Sequence, residues 1–307
     1  MTTLIATSVV RGSRQGESHG GVYLIDLEEQ QVAQTVDWNS MDIDWQGRGW
    51  DRGLRGIEFD GDRIYIAASD ELFVFSPAFE QVTSYRSPYL KHCHEICRYK
   101  RRLYLTSTGF DSILGFDLDA HRFSWGLKVF RDARDLRAAP FDPERGGGPS
   151  PGNRLHLNSV AAAPRGLFLG GLNTGGLYAY TGKHITQAAS LPTGTHNAQP
   201  HGNGVLFNDT DKDTVRFVPT QGPQRVFRVP RYEPDLLTHN DLDDSRTARQ
   251  AFGRGLCAID DTLIAAGSSP STITLHDLDS MKTTLSINLT MDIRNAIHGL
   301  EVWPFDQ

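Results

Sequence analysis

Five stretches of this chain lie over one another without a gap, and that repetition constrains the fold more than any single residue does. HEICRYKRRLYLTSTGFDSILGFD (94–117), HNAQPHGNGVLFNDTDKDTVRFVP (196–219) and RGLCAIDDTLIAAGSSPSTITLHD (254–277) share one hydrophobic layout with the stretches that begin at Asn158 and Arg55. The tenth residue of each is apolar (Leu103, Val205, Leu263, Leu167 and Ile64), and so is the twentieth (Ile113, Val215, Ile273, Leu177 and Val74). Both open short runs of β-branched, aromatic and leucine residues broken by Gly, Asp, Asn or Ser, the pattern of strands between turns. A third run, such as EQVTSYRS (80–87) or QRVFRVP (224–230), adds an outer strand.

Each unit is then about four short antiparallel strands, which is a propeller blade. The expected fold is an all-β, six-bladed β-propeller forming a single domain over 1–307; an all-β sandwich with coincidental spacing is the competing reading. The C-terminal HGLEVWP has the inner-strand pattern with no strand after it, and LIATSVV (4–10) has the second-strand pattern with no inner strand before it. The two are predicted to pair in one blade, closing the ring and covering both edges. The architecture resembles six-bladed propellers of the NHL, gluconolactonase-like and strictosidine-synthase-like kind, in blade period and in the hairpins DSILGFDLD (111–119) and STITLHDLD (271–279). That resemblance implies a fold, and function has to be argued from the site.

Composition narrows the class. The chain has 307 residues, 30 glycines and a formal net charge of −6, which suits turn-rich β structure and gives no reason to expect nucleic acid or an anionic membrane as partner. No apolar run approaches the roughly 18 residues of a membrane span. The N-terminal MTTLIATSVVRGSR lacks the pattern of a secretory leader. Three cysteines (Cys93, Cys97 and Cys257) form no disulfide framework, so a cytoplasmic location is expected.

The residues that open the inner strands alternate in chemistry. In blade order they are His298, Arg55, His94, Asn158, His196 and Arg254, and the three histidines are 102 residues apart. Equal spacing around an axis predicts that His94, His196 and His298 converge there. Neutral imidazoles of that kind suit a divalent transition metal (zinc, iron, manganese or copper) with coordination positions left open. The same histidines could instead hydrogen-bond neighbouring blade backbones. The propeller polysaccharide lyases and carotenoid-cleaving oxygenases are similar in ligand type, whereas the carboxylate and asparagine ligands of gluconolactonase-like enzymes are not reproduced. Arg55 and Arg254 are candidates to hold a carboxylate or phosphate, with Asn158 adding a hydrogen bond.

Three further histidines, His92, His156 and His201, lie near the starting positions and are candidates for a fourth ligand or a proton shuttle. Asp111, Asp211 and Asp213 fall in turns on the same mouth and are candidate acid–base or ligand-supporting groups, with solvated turn carboxylates as the alternative. Long connections at 38–53, 131–154 and 229–253 alternate with short ones, and Gly146–Gly148 would let the second act as a lid. No Gly-x-Ser-x-Gly, His-Glu-x-x-His or phosphate-loop motif is present. The expected function is a metal-dependent lyase or hydrolase acting on a small anionic molecule. An iron- or copper-dependent oxygenase and a non-catalytic interaction propeller are the alternatives.

Overall fold

The computed structural model describes residues 2–14, 16–39, 53–133, 135–242 and 248–305. In chain order the strands are β1 (Thr3–Val10), β2 (Gly21–Asp26), β3 (Gln31–Asp37), β4 (Ile57–Asp60), β5 (Arg63–Ala68), β6 (Glu71–Phe75), β7 (Gln81–Arg86), β8 (Ile96–Tyr99) and β9 (Arg102–Ser107). There follow β10 (Ser112–Asp117), β11 (Arg122–Asp132), β12 (Asp135–Phe141), β13 (Leu157–Ala163), β14 (Gly166–Gly171), β15 (Gly176–Tyr180), β16 (Ile185–Ser190), β17 (Thr195–His201) and β18 (Gly204–Asp209). The last are β19 (Thr214–Pro219), β20 (Arg225–Arg228), β21 (Leu256–Ala258), β22 (Leu263–Ser268), β23 (Thr272–Asp277), β24 (Lys282–Asn288) and β25 (Asn295–Val302). They form six antiparallel sheets arranged as a six-bladed β-propeller: β25-β1-β2-β3, β4 to β7, β8 to β12, β13 to β16, β17 to β20 and β21 to β24.

The repeat locates the strands well. All five tenth-position residues fall in the first two residues of the second strand of a blade, and all five twentieth-position residues lie within the third. The turn into the outer strand has a recurring chemical cause. Asp26, Asp117 and Asp277 each end a third strand, and the Oδ1 of each accepts the N–H groups of the second and third residues after it. These amides hold the Asp117 and Asp277 carboxyls below the ordinary carboxylate range.

Ring closure is as the sequence predicts. β25 pairs with β1 from Leu4 opposite Val302 to Val10 opposite Asn295, with a bulge at Thr7 and Ser8. The Trp303 N–H donates to the Thr3 carbonyl at 2.9 Å, so the two ends of the chain run side by side.

The described sheets fall into two compact units, residues 1–55 with 212–307, and 56–211. In the second, Leu72, Val74, Leu105 and Phe116 fill one space between sheets, and Ile113, Leu127, Leu157 and Leu169 fill the next. In the first, Leu4, Ile25, Ile273 and Ile297 pack together. Each such side chain contributes about 1.5–3 kcal/mol through burial.

One connection differs from expectation. The first part of 131–154 is not a free loop: β12 turns back on the extended β11 and gives its blade a fifth strand. Beyond it, the chain is moored by Gly148 N–H to Tyr89 Oη (2.9 Å), Gly152 N–H to the Gly109 carbonyl (2.9 Å), and Arg122 to Glu144 (2.6 Å). Of 38–53, residues 40–52 lie outside the described residues; 229–253 carries two short 3-10 turns, and its residues 243–247 also lie outside.

Candidate functional site

Three imidazoles of residues 56–211 come together. The His94 and His156 ring centres are 5.4 Å apart at an interplanar angle of 64°, and those of His156 and His196 are 6.4 Å apart at 77°. His94 and His196 are expected in such a group from their spacing. His156, predicted only as an auxiliary residue, sits between them.

The repeat extends to what holds each ring. His94 Nδ1 lies 2.8 Å from the His92 carbonyl and 2.9 Å from Thr108 Oγ1. The Thr108 hydroxyl donates to the Leu157 carbonyl, so its oxygen faces the ring as an acceptor. His196 Nδ1 lies 3.1 Å from the Gly194 carbonyl and 3.5 Å from Thr210 Oγ1, whose hydroxyl donates to that same carbonyl at 2.6 Å. Carbonyl oxygens only accept, so Nδ1 carries the proton in both rings and Nε2 carries the lone pair. Thr108 and Thr210 stand fourteen residues after their histidines, so the repeat reproduces the supporting residue along with the imidazole.

His156 is positioned differently. Asp111 is almost fully buried, and its carboxylate accepts the N–H groups of Arg154 (2.7 Å), Leu155 (3.1 and 3.2 Å) and His156 (3.0 Å). His156 takes a left-handed conformation at φ 53°, which is costly for a residue with a side chain unless its surroundings impose it. Asp111 therefore acts as a clamp on the backbone, where the sequence suggested an acid–base or ligand-supporting carboxylate. Beside it, Lys128 Nζ donates to the Phe110 carbonyl at 2.6 Å. Burial holds that ammonium below its ordinary value, against the opposing pull of Asp111 and with Arg154 adding to the fall.

The other predicted residues are placed as follows. His92 serves His94 through its carbonyl while its side chain is exposed. His201 ends β17 opposite Gly204, whereas His196 near the start of that strand is opposite Asn208. Five residues of strand span about 15 Å, so His201 is not brought to this group. Asn158 is committed to the blades: its Nδ2 donates to the Thr195 carbonyl at 3.0 Å and its Oδ1 accepts the Ser159 hydroxyl at 2.9 Å. Asp211 approaches Thr193 Oγ1 at 3.4 Å, and Asp213 pairs with Arg231 and Arg249. Glu95 accepts Asn197 Nδ2 at 2.8 Å.

Arg55, Arg254 and His298 belong to the other unit, and all three are buried. The Arg55 carbonyl accepts the Thr7 hydroxyl, and the Arg254 guanidinium lies over the Phe252 ring at 4.6 Å. Thr7 lies opposite Gly299 as Thr106 lies opposite Glu95, which places Val9 where Thr108 stands in the blade of His94.

Among the described residues, no three His, Cys, Asp or Glu side chains are grouped so as to hold an ion. Neighbouring rings of the imidazole group meet edge to face.

No family model matches the chain, and no curated protein matches it in sequence. Solved propellers do. A chain of the nidogen/laminin complex superposes with a TM-score of 0.61 at 11% identity, covering 98% of each chain. Apo AztD from Citrobacter koseri gives 0.51 at 12% identity, again over 98% of each. Virginiamycin B lyase from Staphylococcus aureus gives 0.45 at 11%, over 89% of this chain and 84% of the other. At these identities the likeness is one of fold.

Proposed function

We propose that this protein is an enzyme of lyase or hydrolase type, in which the imidazoles of His94 and His196 move a proton on a small anionic molecule. The observation that carries this reading is the matched pair of Nδ1 circuits. Each ring is locked in the tautomer that leaves Nε2 basic, which is the arrangement a general base requires. Holding a ring through Nδ1–H also fixes its plane, so no reorientation precedes proton transfer. His156, clamped by Asp111, supplies a third imidazole edge that can return the proton to a leaving group. No step is routed through a metal, since no group of three or more candidate ligands is found among the described residues.

The test is turnover of a panel of small hydroxy-carboxylates and phosphate esters, followed by NMR in deuterated water. A substrate of the parent protein should be processed about 100-fold or more slowly by His94→Gln and His196→Gln, the range expected for losing a general base. Thr108→Val should retain part of the activity with an altered pH profile. Parent-like turnover by both histidine variants would sink the reading. Elemental analysis of untagged protein is the companion measurement: stoichiometric zinc, iron, manganese or copper that disappears in His94→Gln would replace it with a metal-dependent one.

A further inference from the structure

We infer that a cavity between the β8 to β12 sheet and the β13 to β16 sheet binds a small aromatic carboxylate, with Arg102 holding the carboxylate and Tyr104, Trp125 and Tyr180 holding the ring. The cavity measures about 400 Å³ and lies within residues 56–211. Ligand cavities run from about 300 to 1,000 Å³, so this one has room for a small molecule.

Strand register explains why space is left there. On one sheet Tyr104, Gly115 and Trp125 stand side by side across β9, β10 and β11. On the next, Ala162, Leu167 and Tyr180 stand side by side across β13, β14 and β15. Gly115 puts no side chain between the two aromatic residues of its row. A Cβ there would come within 3.0 Å of Arg102 Cδ and 3.1 Å of Trp125 Cε3, so its absence lets both side chains close in over the strand. The aromatic walls stand at different angles. Tyr104 and Trp125 have ring centres 5.8 Å apart at 89°, and Trp125 and Tyr180 are 6.4 Å apart at 40°. A flat ring can stack on one such face while meeting the edge of another, the two arrangements that aromatic pairs favour.

Arg102 sets the polar end. It is the one charged residue in the lining of this cavity, and it is partly exposed. Asp117 Oδ2 approaches its Nη2 only to 3.9 Å, beyond hydrogen-bond distance, while Asp117 Oδ1 accepts the amides of Asp119 and Ala120. The planar fork of a guanidinium matches a carboxylate with two parallel N–H bonds. One cation against mostly aromatic and aliphatic walls selects a ligand with a single negative charge on a flat apolar body. A polyhydroxylated sugar would leave most of its hydroxyls facing carbon, at a cost in lost hydrogen bonds.

The cavity is separate from the imidazole group. Thr106, whose Oγ1 accepts the His94 N–H at 2.9 Å, stands four residues beyond Arg102 on β9, about 13 Å of strand. The inference therefore does not rest on the proton-transfer reading, and the two can fail separately.

The test is calorimetric titration of cinnamate into the full chain, with cinnamamide and cyclohexanepropionate as comparators. One saturable site is expected for cinnamate. Cinnamamide lacks the charge and cyclohexanepropionate lacks the aromatic ring, so each should bind about ten-fold or more weakly. Arg102→Gln should weaken cinnamate about ten-fold, leave cinnamamide unchanged and melt near the parent, because the residue is partly exposed. Trp125→Leu should weaken both aromatic ligands, and His94→Gln should bind cinnamate as the parent does. Absence of saturable cinnamate binding would overturn the inference. So would unchanged cinnamate affinity in Arg102→Gln, or cyclohexanepropionate binding as tightly as cinnamate. Binding that is lost in His94→Gln and kept in Arg102→Gln would put the acid at the imidazole group and overturn it equally.

Discussion

A hydroxyl and a carbonyl decide which nitrogen of His94 holds the proton, and an equivalent pair decides it for His196. A second residue-scale feature concerns stability. His276 is fully buried between the hydroxyls of Thr274 (2.9 Å) and Thr283 (3.0 Å), with Phe227 stacked on it at 4.5 Å. Burial lowers its pKa to about 4. The unfolded chain takes up this proton near the ordinary value of about 6.5, well before the folded one does, so stability falls as pH drops from there to about 4 and levels off below. The loss is on the order of 3 kcal/mol. In His276→Gln, denaturant unfolding should show a correspondingly smaller fall between pH 7 and about pH 4.5; parallel falls in variant and parent would show that this group is not responsible. Among the site residues, His94 and His196 were legible from spacing, but the centrality of His156 was not. It is set by a carboxylate 45 residues upstream, and no local pattern signals that reach.

Among the elements, β25 carries the closure. Six of its eight residues are buried, and Ile297 and Leu300 pack with Leu4 and Ile25. Deleting residues 298–307 removes more than half of that strand and exposes the edge of β1. Insolubility or non-cooperative unfolding is expected on thermal melting, and a truncated chain that melts like the parent would mean the strand is dispensable. Strands with one buried face were legible because their apolar residues alternate. The β11–β12 ribbon was not: most of Arg131–Phe141 is exposed, and Leu136 is its one buried apolar residue in β12. Its arginines, aspartates and Pro140 read as a loop because solvent wets both faces and no period survives.

For the whole molecule, six sheets followed directly from the repeat. A repeat predicts matching surroundings only where the same stretch of chain supplies them. In the closing blade the second strand comes from the other end of the chain, and Val9 stands where Thr108 stands elsewhere. No helix among the described residues is long and apolar enough to cross a membrane.

The hydrogen bond between Trp303 and Thr3 has a consequence for how the polypeptide may be connected. Since the first and last strands are neighbours in one sheet, the covalent starting point can be moved without changing any blade. A circular permutant that joins residue 305 to residue 2 through a short linker, and begins at the exposed turn around Gly182, preserves every strand pairing described above. It should fold to the same circular-dichroism spectrum and bind the same ligands as the parent. Failure to fold would mean that the order of synthesis, and not the final set of contacts alone, guides the chain to its native state.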